Sequence, residues 1–315
     1  MSKHWDQYWK QGHLTSFGDS FEGNYTGVLH QAWTEAVEML PEQFDVLDIA
    51  TGNGAIPLLL KESLLPLGKS GQIIGVDLAQ VNQPENDSSS ISIELLSNIN
   101  CCDLPFEAET FDVVTSQFGI EYAPLNVALV EALRVLKAKG RLQLIVHHSE
   151  SMVIRRNRRI VNLISGSLVE QVLNLLGVMT EQMGELRSNI DLARIKDNPQ
   201  SEQNRLELNR LIGELVKLDE DALKDSDLMT YVATLFKTGI FWSVSKKKEY
   251  LRFITSELLT LEQRLTELVN ASVTQDDLAS IINSTAKTSK LEEIKVIRTS
   301  EFDEILAWKV VLCKH

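Results

Sequence analysis

The segment Asp48-Ile49-Ala50-Thr51-Gly52-Asn53-Gly54 ends an apolar run with a carboxylate and follows it with a turn holding two glycines. A strand that opens into such a turn and then a helix lets a ligand approach bare backbone. There it meets the unpaired N–H groups of a helix N-terminus. A P-loop would need lysine and a hydroxyl after the last glycine, whereas Gly54 is followed by Ala55-Ile56-Pro57, so phosphate cradling of that kind is excluded. A dinucleotide turn needs a third glycine where Pro57 stands, and keeps only weak support. Asp77, closing the run IIGVDLA (73–79), is a second strand-end carboxylate, able to accept hydrogen bonds from both hydroxyls of a ribose. Candidate bases come later, in Glu121 with Tyr122 and in the pair His147, His148. A histidine suits removal of a proton from a phenol or carboxylic acid because its pKa lies near working pH. Adjacent strand residues point to opposite faces, so at most one of the two histidines is expected to look into a site. The three cysteines, Cys101, Cys102 and Cys313, give neither a disulfide framework nor metal-ligand spacing, and no metal is expected.

These residues need elements to hold them. Between about 44 and 149, short apolar runs (DVLDIA, QIIGVDLA, SIELLSNIN, FDVVTSQFG, RLQLIVHH) alternate with helical stretches at 54–66 and 124–137, which predicts a parallel sheet wrapped by helices. KAKG (137–140) reads as a helix end and turn before the fifth strand, and QPENDSSS (83–90) as a polar loop. From 150 to 290 strand signals stop, and Leu, Ile and Val recur at helical spacing. One stripe runs through Leu206, Leu208, Leu211, Ile212, Leu215 and Leu218, and a longer one from Tyr250 to Leu268. Strand character returns at 294–300 and 305–315, which makes the helical block an insertion after strand five and residues 291–315 the strands that complete the sheet. Residues 1–43 are rich in aromatics (Trp5, Tyr8, Trp9, Phe17, Phe21, Tyr25, Trp33), with helical spacing from about Val28 to Leu40.

The ordered motifs resemble those of class I SAM-dependent methyltransferases. VLDIATGNG is similar to that family's first motif, an acidic residue followed by a glycine-rich turn, with Ala50 in place of the first glycine, where a positive φ would be strained. CDLPFEAETFDVVTSQFGIEY (102–122) and EALRVLKAKGRLQLIVHH (131–148) resemble the small-molecule branch related to the ubiquinone and menaquinone C-methyltransferases. The resemblance implies a Rossmann-like seven-stranded, mostly parallel sheet with helices on both faces. It implies S-adenosyl-L-methionine as methyl donor and S-adenosyl-L-homocysteine as product. Asp48 would lie by the donor's amino-acid portion, Asp103 would accept from the adenine amino group, the Leu104 N–H would meet the ring, and Gln117 and Phe118 would line the methyl-transfer side. Tyr25, Ala50, Thr51, Gly52, Asn53, Gly54, Asp77 and Leu78 complete the expected donor site, and the N-terminal segment, at Phe17 and Tyr25, is expected to act as its lid.

The function expected on this resemblance is methyl transfer to an oxygen or nitrogen of a small molecule or peptide. Glu121, His147 and His148 are the candidate catalytic residues, and the insertion caps the acceptor. The alternative is a non-catalytic SAM-binding or scaffold protein that uses its helical block for a partner. A net charge of −13 opposes nucleic-acid binding, and the basic run Arg155–Arg159 is expected to form a polar helix face. The 315-residue sequence shows no apolar run of membrane-spanning length and no apolar signal core in MSKHWDQYWKQGH, so a cytoplasmic protein is expected. The longer helical stripe makes a homodimer conceivable on sequence grounds.

Overall fold

A computed structural model describes residues 3–17, 23–37, 40–84 and 88–315. Phe21, residues 38–39 of the expected second helix and residues 85–87 of the polar run lie outside them. The chain begins with α1 (Lys3–Lys10) and α2 (Gly27–Val37), then β1 (Gln43–Ile49), α3 (Ala55–Leu64), β2 (Ser70–Val76), β3 (Ile91–Leu96), β4 (Phe111–Gln117), α4 (Leu125–Val135) and β5 (Leu136–His147). Seven helices follow: α5 (Met152–Ile164), α6 (Ser167–Met183), α7 (Asn189–Lys196), α8 (Pro199–Asp225), α9 (Leu228–Lys237), α10 (Val244–Ala271) and α11 (Gln275–Thr285). The chain closes with β6 (Ser289–Arg298) and β7 (Ile305–Lys314).

The strands form one sheet in the order β3-β2-β1-β4-β5-β7-β6. β1 to β5 pair in parallel, and β7 runs antiparallel between β5 and β6. The central strands are buried on both faces, as helix-covered parallel strands must be: in β1, Phe44, Val46, Leu47 and Ile49 are all sequestered. Trp33 of α2 and Leu59 and Leu64 of α3 pack into one cluster, and Ala128 and Leu129 of α4 pack into a second with Leu278 and Ile281 of α11. The chain winds outward from β1 to β3, returns, and winds the other way through β4 and β5. Such a reversal opens a crevice at the C-terminal ends of β1 and β4, where ligands of this architecture bind.

Three boundaries differ from expectation. KAKG is drawn into β5 rather than ending α4: Phe111 pairs with Leu136 and Val113 with Arg141, so residues 137–140 bulge out, with Lys139 at φ 63°. The insertion is also shorter than 150–290. The chain divides into a core of Met1–Ile154 and Asn270–His315 and a helical unit of Arg155–Val269, and α11 belongs to the core because its Leu278 and Ile281 pack there. β6 starts at Ser289, ahead of the expected 294. The chain leaves and rejoins the core at one place, where the Val273 N–H donates to the His147 carbonyl (2.7 Å) and the Ser149 N–H to the Val273 carbonyl (3.1 Å).

The helical unit has its own core, including Leu163, Val172, Leu176, Leu208, Leu211, Leu215, Ile254 and Leu258. Of the two stripes, Leu206, Leu218 and Phe253 are exposed, while Ile254, Leu258 and Leu265 are buried within the unit. The basic run lies on α5, with Arg156 paired to Asp225 (2.7 Å) and Arg159 to Asp219 (2.6 Å). No single helix among the described residues is long and apolar enough to cross a membrane. The bent pair α5–α6 reaches that threshold only jointly, and α6 buries Val172 and Leu176 in the helical core.

Candidate functional site

The turn after β1 has the left-handed backbone that its composition requires: Ala50, Gly52 and Gly54 have φ of 56°, 55° and 83°. An alanine in that region is strained. It is accommodated because a Cβ built on Gly119, in the turn after β4, would lie 2.3 Å from the Ala50 Cβ. The bare glycine makes room for the alanine methyl.

Two acids flank this turn. Asp48 is buried and accepts a hydrogen bond from the Thr115 hydroxyl of β4 (2.7 Å), and burial pushes its carboxyl up to about 7. Asp77, just past β2, accepts the Gly52 N–H on Oδ2 (2.8 Å) and the Ala79 N–H on Oδ1 (2.8 Å). Burial raises its pKa and the backbone donors oppose that rise. Backbone N–H groups of Gly52, Ala79 and Leu78 orient the carboxylate, whose roughly four lone-pair sites leave room for a hydroxyl.

Over the turn lies α1, part of the aromatic N-terminal segment in which the sequence singles out Phe17 and Tyr25. Trp9 covers the bare face of Gly52, where a Cβ would lie 2.6 Å from its ring. Asn53 donates through Nδ2 to the carbonyls of Trp9 (2.9 Å) and His13 (2.8 Å), so its side chain fastens α1. Asp6 accepts the Gln80 N–H (2.9 Å), and Trp5 meets Tyr122 edge-on at 5.8 Å. The sequence signal was WDQYW, which sets Trp5, Tyr8 and Trp9 three and four residues apart on one helix face. Tyr25 is buried, its hydroxyl bonded to Ser16, and Phe17 meets Phe118 edge-on at 5.5 Å.

The third motif is placed less simply. Asp103 is exposed, and Leu78 is half-buried next to Asp77. The Leu104 N–H, expected to meet an adenine ring, donates instead to Glu131 Oε2 (3.0 Å). Arg134 holds that carboxylate and also donates to the Leu104 and Phe106 carbonyls, so the loop is tied down to α4.

Beyond the end of β4 the crevice becomes aromatic. Gln117 accepts from the Trp33 indole (2.7 Å), which fixes the amide and leaves its Nε2 buried with no partner. Phe118 stacks on His147 (4.4 Å, 21°), and His147 also meets Tyr122 at 6.2 Å. Burial pulls the His147 imidazole down to about 3. Glu121, in the 3-10 turn Ile120–Tyr122, accepts the His147 N–H (3.0 Å) on Oε1, and burial pushes it up to about 7. His148 faces away from this group. It stacks on Trp308 (4.2 Å) and its Nδ1 accepts the Glu150 N–H (2.9 Å).

With this geometry in place, known proteins can be compared. Residues 26–163, from α2 through the acids and the aromatic wall into α5, match the model of the ubiE/COQ5 methyltransferase family. This segment is ubiE/COQ5-like. The ubiquinone/menaquinone biosynthesis C-methyltransferase UbiE of Rickettsia prowazekii is 35% identical over 121 residues, 36% of this chain and 49% of that protein. UbiE of Rhizobium etli is 34% identical over 134 residues, 39% of this chain and 50% of its own length. The chain therefore spans about half the length of the curated relatives it matches. Among solved structures, an S-adenosylmethionine dependent methyltransferase from Mesorhizobium loti is similar over 40% of this chain and 57% of its own, at 20% identity and a TM-score of 0.31. The fold of the ubiE/COQ5-like segment is established by its own strand order and by the glycine turn at the crevice.

Proposed function

We propose that this chain is a SAM-dependent methyltransferase acting on a small-molecule or peptide acceptor. The observation that carries the reading is the pair Asp48 and Asp77 on either side of the bare Gly52 turn, within the ubiE/COQ5-like segment. Asp77 suits the donor's ribose, its inner lone pairs being fixed by Gly52 and Ala79. Asp48 suits the donor's ammonium, since a cation at hydrogen-bond distance restores the charge that burial suppresses. Thr51, Gly54 and Leu78 wall the turn, Gln117 and Phe118 bound it toward β4, and Trp9 closes it from above. When bound, S-adenosylmethionine supplies an electrophilic methyl group on a sulfonium, and S-adenosylhomocysteine is released. The chain's own work is to align a nucleophile with that methyl group, to exclude water, and to accept a proton where the nucleophile carries one.

We assign the methylated atom to oxygen or nitrogen, on the strength of a buried carboxyl on the acceptor side. The relatives are named as C-methyltransferases, so carbon is the competing outcome, and NMR of the product's new methyl group separates them. Calorimetry with S-adenosylmethionine tests the donor reading. Wild-type protein should bind, and Asp77→Ala should lose roughly 1–3 kcal/mol of affinity, the scale for hydrogen bonds to a charged group. Normal binding by that variant would move the ribose elsewhere.

A further inference from the structure

Among the described residues, the buried side-chain atoms without a hydrogen-bond partner are Thr51 Oγ1, Gln117 Nε2, Glu121 Oε2, Thr180 Oγ1 and Ser201 Oγ. Thr180 and Ser201 belong to the helical unit. Thr51, Gln117 and Glu121 stand together at the C-terminal ends of β1 and β4, and of the three only Glu121 is a base. An unsatisfied buried carboxyl oxygen is costly whether it is ionised or protonated, because it lacks a donor in one case and an acceptor in the other. A ligand that brings a proton-bearing atom to it removes that cost.

Resting on the methyltransferase reading, we propose that Glu121, and neither histidine, is the residue that binds the acceptor's O–H or N–H group and takes its proton. Oε1 is pinned by the His147 N–H, so Oε2 is the oxygen presented to the acceptor. The turn that carries Glu121 packs against the donor turn, where a Cβ on Gly119 would lie 2.3 Å from the Ala50 Cβ. Glu121 follows β4, which is hydrogen-bonded directly to β1, and neighbouring strands lie about 4.8 Å apart. Phe118 and Tyr122 both pack on the ring of His147, the residue whose N–H holds Oε1, and these rings supply aromatic faces for a planar acceptor whose X–H points at the carboxyl.

The histidines are poorly placed for the task. The His147 ring is sandwiched against Phe118 in a site that resists its protonation, and His148 Nδ1 is occupied on the other face. The ionisable groups next to Glu121 are Tyr122 on its own turn and His147 on β5, and no charged side chain contributes to its protonation. Burial keeps the carboxyl protonated to higher pH, opposed by the backbone N–H groups of Glu121, His147 and Gly119, and makes it a stronger base once ionised. The step balances. Ionised Glu121 takes the proton from X–H, the X electron pair forms the bond to the methyl carbon, and the carbon–sulfur pair returns to sulfur.

Glu121→Gln preserves size and the bond from the His147 N–H, and is the variant for the test. S-adenosylmethionine affinity by calorimetry should be unchanged within about twofold, which separates this proposal from the donor reading. Infrared titration, taken as wild type minus variant so that Asp48 cancels, should show one carboxyl ionising near pH 7. Adding p-cresol as a hydroxyl probe to protein loaded with S-adenosylhomocysteine should shift that band, and the methyl ether of p-cresol should not. With any turned-over acceptor, single-turnover rate should fall roughly 100- to 10,000-fold and lose its rise through neutral pH. A difference spectrum without a carboxyl titrating near neutrality, or a band that p-cresol leaves in place, overturns the proposal. Absence of donor binding by the wild type overturns the methyltransferase reading; p-cresol and its methyl ether are then compared on the protein without S-adenosylhomocysteine, and a band that neither shifts overturns the Glu121 proposal as well.

Discussion

Glu121 and Asp48 bind protons more tightly in the folded chain than in an unfolded one, and His147 binds its proton less tightly. For the two acids, folding is therefore unpenalised below the ordinary carboxylate range and loses stability as pH rises to about 7. For His147 the window is opposite, with stability present above its unfolded pKa and falling as pH drops toward about 3. Chemical denaturation should show Glu121→Gln more stable than wild type at pH 8 by about 3 kcal/mol, with the gap closing toward pH 5. Acids that destabilise their own fold in this way are the pattern expected where activity is favoured over stability. Donor affinity should also weaken as pH falls through about 7, because a protonated Asp48 cannot pair with an ammonium. Calorimetry at pH 6 and 8 reads this directly. At this scale Asp77 was legible, because a carboxylate after an apolar run is visible in sequence. The orphaned oxygen of Glu121 was not, because it depends on an N–H supplied from a distant strand. Leu104 misled for the same reason, since its N–H was already taken by Glu131 on α4.

The turn after β1 and the turn after β4 are built as a pair. Ala50 takes a backbone conformation usual for glycine, and the bare face of Gly119 receives its methyl group. Ala50→Gly should stabilise the protein by about 1 kcal/mol through relief of the left-handed strain, whereas Gly119→Ala should be severely destabilising, and the double variant should recover much of the loss. Thermal melts of the three proteins check the set. Sequence flagged Ala50 as an irregularity but could not name its compensating partner, which lies in another motif. The roof was half legible. Aromatic content marked the N-terminal segment, yet which rings reach the glycine turn was decided by hydrogen bonds from Asn53 to α1, and Trp9 rather than Tyr25 lies on Gly52. KAKG shows the converse error, a turn-like composition absorbed by a strand as a bulge.

Across the whole chain, alternating apolar runs were sufficient for the sheet, and the return of strand character at the C-terminus was sufficient to recognise an insertion. Its limits were misjudged because α11 is amphipathic like the helices before it, and only the packing of Leu278 and Ile281 assigns it to the core. Whether the helical unit takes part in acceptor choice is tested by removing it. Replacing Arg155–Val269 by a short flexible linker should leave S-adenosylmethionine binding at least partly intact and abolish acceptor turnover, read by calorimetry and product mass spectrometry. Unchanged turnover would rule that role out. The clasp between His147, Ser149 and Val273 has a mechanical meaning as well. The segments on either side of the helical unit belong to the core, so a pull applied across β5 and β7 is carried by the sheet. The helical unit is a closed side loop that feels no tension until the clasp parts.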